Sequence, residues 1–151
     1  MLESVHKIII HHTGRQYDHP FLITLRHKFL RWRDDIGYHY VIGNWFLWTI
    51  DGKIYQGRSE QTEGAHAFWY NAESLWICLI GNFDRYKPTS LQLESLYTLL
   101  EDKIHHYKVD IKNVLWHNEL IMKNIKSCPG NNISMDKIRS HLYENLLLPE
   151  R

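Results

Sequence analysis

The chain has 151 residues, of which 44% are hydrophobic and 23% charged, and its formal net charge is +1. That length suits a single domain over residues 1–151, able to bury about 68–70% of its unfolded surface without a disulfide framework. A near-neutral balance with no run of like charges excludes the basic footprint of a nucleic-acid-binding protein. Two features depart from the average: 11 His, and an aromatic set of six Trp, nine Tyr and five Phe. Both kinds of residue serve metal sites and ligand grooves.

Near the N-terminus the longest apolar run is Ile8-Ile9-Ile10. A signal peptide needs about 7–15 apolar residues and a membrane span about 20. The expectation is a chain without membrane insertion, cytoplasmic as synthesised, that acts on any outside target only after release. Residues 7–13 read as a strand ending at Gly14. Pro20 then opens a helix over 21–33, where Leu22, Leu25, Phe29 and Trp32 recur at three- and four-residue spacing and predict its inward face. Gly37 breaks to an extended stretch, residues 38–42. The turn dipeptides Gly43-Asn44 and Asp51-Gly52 predict hairpin strands at 45–50 and 53–55. Residues 59–73 are polar and loop-like. Residues 75–81 are apolar without alternation, which predicts a central strand covered on both sides.

Thr89 or Ser90 caps a long helix to about 107, with Leu93, Leu96, Tyr97, Leu100 and Ile104 as its buried stripe. Val114-Leu115-Trp116 is a short strand running straight into His117. Ser134 caps a last helix that turns Ile138, Leu142 and Leu146 inward. Strands alternate with helices, and hairpins occupy the first half. The pattern predicts a mixed β-sheet flanked by helices, of the α/β or α+β kind.

Cys78 lies within the apolar strand and reads as a small buried hydrophobe. Cys128 precedes Pro129-Gly130 in a polar loop, where a core role does not fit. Environments so different do not predict a disulfide. Cys128 is instead a candidate metal ligand, together with His11 or His12 at the end of the first strand and His117 at the end of a later one. Zinc takes neutral imidazole and thiolate, and a catalytic site leaves its fourth position to water. The eleven-residue interval from His117 to Cys128 matches no short zinc-finger spacing. No fourth Cys or His at useful spacing supports a closed structural site.

Four segments taken in order carry more weight than any spacing. They are Ile8-Ile9-Ile10-His11-His12-Thr13; Asp35-Ile36-Gly37-Tyr38-His39-Tyr40-Val41-Ile42; Asp51-Gly52-Lys53-Ile54-Tyr55-Gln56-Gly57-Arg58 with Gly64-Ala65-His66-Ala67, Tyr70-Asn71 and 74–81; and His117-Asn118-Glu119-Leu120 with Lys126-Ser127-Cys128-Pro129-Gly130. Together they resemble the zinc-dependent N-acetylmuramoyl-L-alanine amidases, a family that includes small phage lysozyme-type enzymes and the animal peptidoglycan recognition proteins. The resemblance covers about residues 7–145.

It implies a mixed sheet with helices on both faces, and one zinc per chain held by His11, His117 and Cys128. Adjacent strand residues face opposite sides, and both sides of this strand look buried. The choice of His11 over His12 is therefore made by the resemblance, which leaves His12 as a hydrogen-bonded histidine beneath the sheet. By the same likeness Tyr38 is the catalytic tyrosine, Lys126 assists catalysis, and His66, Tyr70 and Asn71 are substrate contacts. Tyr40, two residues on and on the same strand face as Tyr38, reads as packing, and Glu119 as a solvated or supporting carboxylate.

The implied activity is hydrolysis of the amide between N-acetylmuramic acid and L-alanine in peptidoglycan, by a monomeric lytic enzyme of the phage type whose partner is peptidoglycan or a muropeptide. The rivals are a cytosolic muropeptide-recycling amidase and a peptidoglycan-binding protein without activity. Binding-only members of the family typically lack the cysteine, which is present here as Cys128. Three features depart from the family pattern: the longer first hairpin at 43–49, the longer loop between His117 and Cys128, and Arg31-Trp32 in place of Gly-Trp.

Overall fold

Five short strands form one mixed sheet in the computed structural model, which describes residues 4–30, 35–65, 70–120 and 127–146. The strands are β1 (Lys7–His12), β2 (Tyr40–Ile42), β3 (Ile54–Gln56), β4 (Ser74–Leu79) and β5 (Val114–Trp116). Their order is β3-β2-β4-β1-β5. β2, β4, β1 and β5 run parallel, and β3 closes one edge antiparallel to β2. β4 is central and all six of its residues are buried, as its unbroken apolar run predicts.

The helices are α1 (Pro20–Leu30), α2 (Ser90–Tyr107), the single turn α3 (His117–Leu120) and α4 (Met135–Leu146). Ile8 and Ile10 of β1 and Leu75, Ile77 and Leu79 of β4 face α2 and α4, meeting Leu96, Leu100, Ile138 and Leu142. Ile9, Trp76, Cys78 and Val41 face the other way, toward Ile23 of α1. Each Ile or Leu withdrawn from water here contributes about 1.5–3 kcal/mol. Helices thus cover both faces of the sheet. No described helix is long and apolar enough to cross a membrane.

α2 begins where its cap dictates. The Thr89 hydroxyl accepts from the Gln92 N–H, and the Gln92 side chain accepts from the Thr89 N–H, which satisfies two donors that a helix start leaves open. The Gln92 amide also donates to the carbonyls of Ile80 and Ile42. One side chain therefore ties α2 to the carboxyl ends of β4 and β2.

Three expectations from the sequence need correction. The inward face of α1 is Ile23 and His27, whereas Leu22, Leu25 and Phe29 are exposed; Trp32 lies outside the described residues. Apolar side chains occur all around this helix, so spacing alone could not select the buried side. Residues 45–50 form no strand. Trp45, Leu47 and Trp48 adopt left-handed backbone angles (φ 70°, 49° and 61°), each costing on the order of 1 kcal/mol for a residue with a side chain, and the segment is a loop between β2 and β3. Finally, Tyr38 and Tyr40 do not share a face. Tyr38 packs with the α1 side of the sheet and Tyr40 with the α2 side, because β2 starts only at Tyr40 and His39 interrupts the alternation. The buried His39 ring accepts from the Trp76 N–H at Nδ1 and lies 2.9 Å from the Thr62 carbonyl at Nε2. A neutral imidazole thus occupies the place of a backbone ladder bond. Burial pushes its pKa down, the Thr62 hydrogen bond opposing.

The loop after β3 is held to α2 through one carboxylate. Glu60 accepts from Tyr40 and Tyr107 and pairs with Lys103. Burial opposes its ionisation, but these partners together hold its pKa below the ordinary value of 4.5. A depressed carboxyl stabilises the fold fully above its unfolded pKa and loses that contribution as the pH falls through the folded value. Glu60→Gln should therefore cost about 1–2 kcal/mol at neutral pH. The difference from wild type should close in thermal melts taken at about pH 3.

Candidate metal centre

Residues distant in sequence converge at the carboxyl end of β1. His11 is on the α1 side of the sheet, His117 opens α3 directly after β5, and Cys128 lies in the loop beyond. Their donor atoms all lie within 4.8 Å of one another. Cys128 Sγ is 3.3 Å from His11 Nδ1, and the two imidazole centroids are 4.1 Å apart. All three side chains are almost fully withdrawn from solvent, at 2%, 8% and 8% exposure. Two imidazoles and a thiol form a set suited to zinc. Zinc bond lengths of about 2.0–2.3 Å place tetrahedral donors about 3.3–3.6 Å apart, so the sulfur–nitrogen distance fits, and three protein donors leave a fourth position open.

Strand alternation separates the two adjacent histidines. His12 turns to the opposite side, where its Nδ1 accepts from the Phe83 N–H at 3.2 Å. Burial pushes its pKa down, against the pull of Asp84. Its backbone N–H donates to Cys128 Sγ at 3.4 Å, a contact that favours sulfur carrying negative charge. Cys78, level with His11 across the strand pair, is fully buried. Burial pushes its thiol well up, Cys128 adds to this, and a hydrogen bond with Tyr38 opposes. Cys78 is thus kept a neutral thiol, while Cys128 is the sulfur in the donor cluster.

Tyr38 stands beside the donors, its ring centroid 5.2 Å from that of His11. The backbone around it is clamped from several sides. Arg58 N–H donates to the Tyr38 carbonyl, His39 N–H donates to Trp76, and Gly37 N–H donates to His27 Nδ1. His27, buried on α1, also lies 5.4 Å from the Tyr38 ring. Thr13, Arg15, Arg26, His27 and Tyr38 line a cleft of about 210 Å³ next to the donors. Arg26 is fixed there by the fully buried Asp18. Beneath both imidazoles lies Trp76, at 5.0 Å from His11 and 6.1 Å from His117.

His27 and Trp76 are contributors that the sequence reading did not single out. A histidine three residues before the end of a helix, ten residues ahead of Gly37, is the only local hint of the first. Trp76 needed the β1–β4 register, which pairs it with Ile9 and so puts it on the His11 side.

The cysteine loop is held by its neighbours. Asn118 N–H donates to the Cys128 carbonyl, Asn132 N–H to the Phe83 carbonyl, and Asn131 N–H to Asp84. Gly130 has φ +111°, and a Cβ there would sit 2.5 Å from the Phe83 carbonyl carbon. Only glycine accepts both the angle and the approach. Gly130→Ala should cost about 2 kcal/mol or more through strain and contact and should displace Cys128. Denaturant melts would show the loss of stability, and a metal titration the weakened site.

The remaining predicted residues fall outside this cluster. Glu119 accepts from the Trp116 N–H and pairs with Arg139 of α4, so it braces the turn that presents His117. Tyr70 and Asn71 precede β4, at the end of the sheet away from His11. Tyr70 packs on the α1 face, and the Asn71 carbonyl accepts from Gly64. His66 and Lys126 lie outside the described residues.

The chain is similar to known proteins in sequence and in fold. The N-acetylmuramoyl-L-alanine amidase family matches residues 1–131. Peptidoglycan-recognition protein SC2 of Drosophila simulans is 33% identical over 99 residues, covering 66% of this chain. The aligned part of this chain spans half the length of that relative. Among solved structures, the endolysin N-acetylmuramoyl-L-alanine amidase LysCS from Clostridium intestinale is similar with a TM-score of 0.81 and 32% identity, over 92% of this chain and 84% of that one. A Drosophila PGRP-LB variant in complex with tracheal cytotoxin is similar at 0.71 and 25%, over 97% and 85%. With the family match running through both histidine segments and the cysteine loop, the chain belongs to the N-acetylmuramoyl-L-alanine amidase family.

Proposed function

We propose that this protein is a zinc-dependent hydrolase of the amide bond between N-acetylmuramic acid and L-alanine in peptidoglycan, acting lytically in the manner of an endolysin. The observation that carries the reading is the buried set of His11, His117 and Cys128 beside Tyr38 and an adjoining cleft. A protein that only binds has no need of a buried thiol among two imidazoles. The likeness to an endolysin amidase supports the lytic role, and the PGRP-LB complex with tracheal cytotoxin supports a muropeptide-like ligand.

A zinc ion held by these three side chains would supply a Lewis acid and activate water near neutral pH. The chain's own residues do the rest. Tyr38, whose ring lies 5.2 Å from that of His11, is assigned to the carbonyl oxygen, which gains negative charge as the amide carbon becomes tetrahedral. His27 and Arg58 hold its backbone and ring in place. Trp76 closes the floor and excludes water from behind the imidazoles. Lys126, two residues before Cys128, is assigned as a second cation for the same oxygen. Arg26 and Thr13 border the cleft in which the stem peptide would lie.

The test is to incubate the purified protein with intact sacculi and, separately, with soluble muropeptides, then to identify the new chain ends. Free lactyl carboxyl groups and L-alanine amines are expected, with sacculi cleaved at least as well as muropeptides. New reducing sugar ends would overturn the reaction assignment. Cleavage confined to soluble muropeptides would overturn the lytic role and leave a recycling amidase.

A further inference from the structure

Two arginines line the cleft that Tyr38 shares, Arg15 and Arg26, and no carboxylate is among the described residues that line it with them. Each arginine is held there by a different device. Nη1 and Nη2 of Arg26 donate to the two carboxylate oxygens of Asp18. Asp18 is fully buried, whereas the Arg26 side chain keeps 29% of its surface. A guanidinium carries five N–H groups in a planar fork. Pairing through both terminal nitrogens therefore leaves the Nε edge as a second fork, and no described residue accepts from Nε. The bidentate pair fixes the direction of that edge in advance.

Arg15 is placed by its backbone. The Thr13 hydroxyl donates to the Arg15 carbonyl at 2.9 Å and accepts from the Gly81 N–H at 3.1 Å. Arg15 in turn bridges Gly81 antiparallel. The residue is thus tied to the carboxyl ends of β1 and β4, next to the donor cluster. Its side chain is exposed and makes no ion pair among the described residues. Two guanidinium groups against the single carboxylate of Asp18 leave this wall of the cleft with a net positive charge. An arginine that served only to neutralise Asp18 would need neither an open edge on the cleft nor an uncompensated cation beside it.

We propose that Arg26 and Arg15 form a subsite for a free carboxylate on the stem peptide. The inference rests on the amidase reading and names a preference within it. With the scissile carbonyl at Tyr38 and about 3.8 Å between successive Cα atoms, a cleft of about 210 Å³ takes in the first residues past the cut. The second stem residue is a γ-linked D-glutamate, whose α-carboxyl group is either free or a carboxamide. A carboxylate accepts from both guanidinium groups and complements their charge. A carboxamide offers one oxygen and turns its own N–H groups toward donors. The subsite selects stems in which that carboxyl group is free.

A matched pair of substrates tests the proposal: N-acetylmuramoyl-L-alanyl-γ-D-glutamyl-L-lysinamide and the same molecule with the glutamate α-carboxyl group as a carboxamide. Wild type should cleave the acid with a kcat/KM about tenfold or more above that of the carboxamide, chiefly through KM. The preference should fall toward one in Arg15→Gln and in Arg26→Lys, which keeps a cation for the buried Asp18 but loses the second fork. Arg15→Glu should reverse it. Calorimetric titration with the two N-acetyl-L-alanyl-γ-D-glutamyl-L-lysinamide peptides, acid and carboxamide, reads the same preference without hydrolysis. Equal Kd for the two peptides, or a preference unchanged in both Arg15→Gln and Arg26→Lys, would overturn the subsite. A loss confined to one variant would overturn the pair and leave the other arginine outside it. Discrimination in binding with neither substrate cleaved would retain the subsite and overturn the amidase reading instead.

Discussion

Cys128→Ala should weaken the proposed zinc site while leaving the protein folded. Four-donor zinc sites are worth about 10–16 kcal/mol, or roughly 3–4 kcal/mol per donor. Loss of the thiolate should therefore weaken the affinity by about two to three orders of magnitude, and amide hydrolysis should fall to background. The side chain is small and sits at the end of the sheet among polar loops, so its packing contribution is modest. Cys78→Ala is the matched control. That thiol is also buried and level with His11, yet it lies in the apolar cluster with Ile9 and Val41, so its removal should cost stability and spare the metal. Competition titration against a chromophoric chelator separates the two variants. Equal metal affinity in Cys128→Ala and wild type would remove the cysteine from the donor set.

Tyr38→Phe tests the other half of the site. The ring supports His11 and His27 by contact, and phenylalanine keeps that contact. Only the hydroxyl is lost. If it stabilises charge that develops on the carbonyl oxygen, kcat should drop by about 10²–10³-fold, as for one oxyanion donor, with little change in KM. Metal content and sacculus binding should stay at wild-type levels. A variant with full kcat would show that the hydroxyl takes no part. A fall in metal content instead would mark Tyr38 as a support for His11 alone.

His27 supplies a finer comparison with these two. Its Nδ1 accepts from Gly37, the residue before Tyr38, so it acts on the site through the position of the tyrosine. The sequence presents it as one helical residue among many, and only the packing of α1 on the sheet reveals the contact.

Much of the fold was legible because the relevant physics is local. The Thr89–Gln92 cap, the unbroken apolar run of β4 and the entry of β5 into His117 are each written within a few consecutive residues. The candidate donors were legible for a similar reason: imidazole and thiolate are chemically suited to a metal wherever they occur. The family resemblance then chose among them.

The tertiary structure decided what local patterns leave degenerate. A helix with apolar groups on all sides has no inward face until a sheet is laid against it, and Ile23 with His27 fitted that sheet where Leu22, Leu25 and Phe29 did not. Alternation across Tyr38 and Tyr40 failed because a buried His39 takes a backbone partner from Trp76, a bond across 37 residues. Cys128 meets His11 across 117 residues, and no interval of sequence encodes that distance. Propensity, capping and ligand chemistry are properties of neighbouring atoms along the chain and so belong to the sequence by itself. Facing, register and convergence arise from pairing between remote segments, and only the folded sheet determines them.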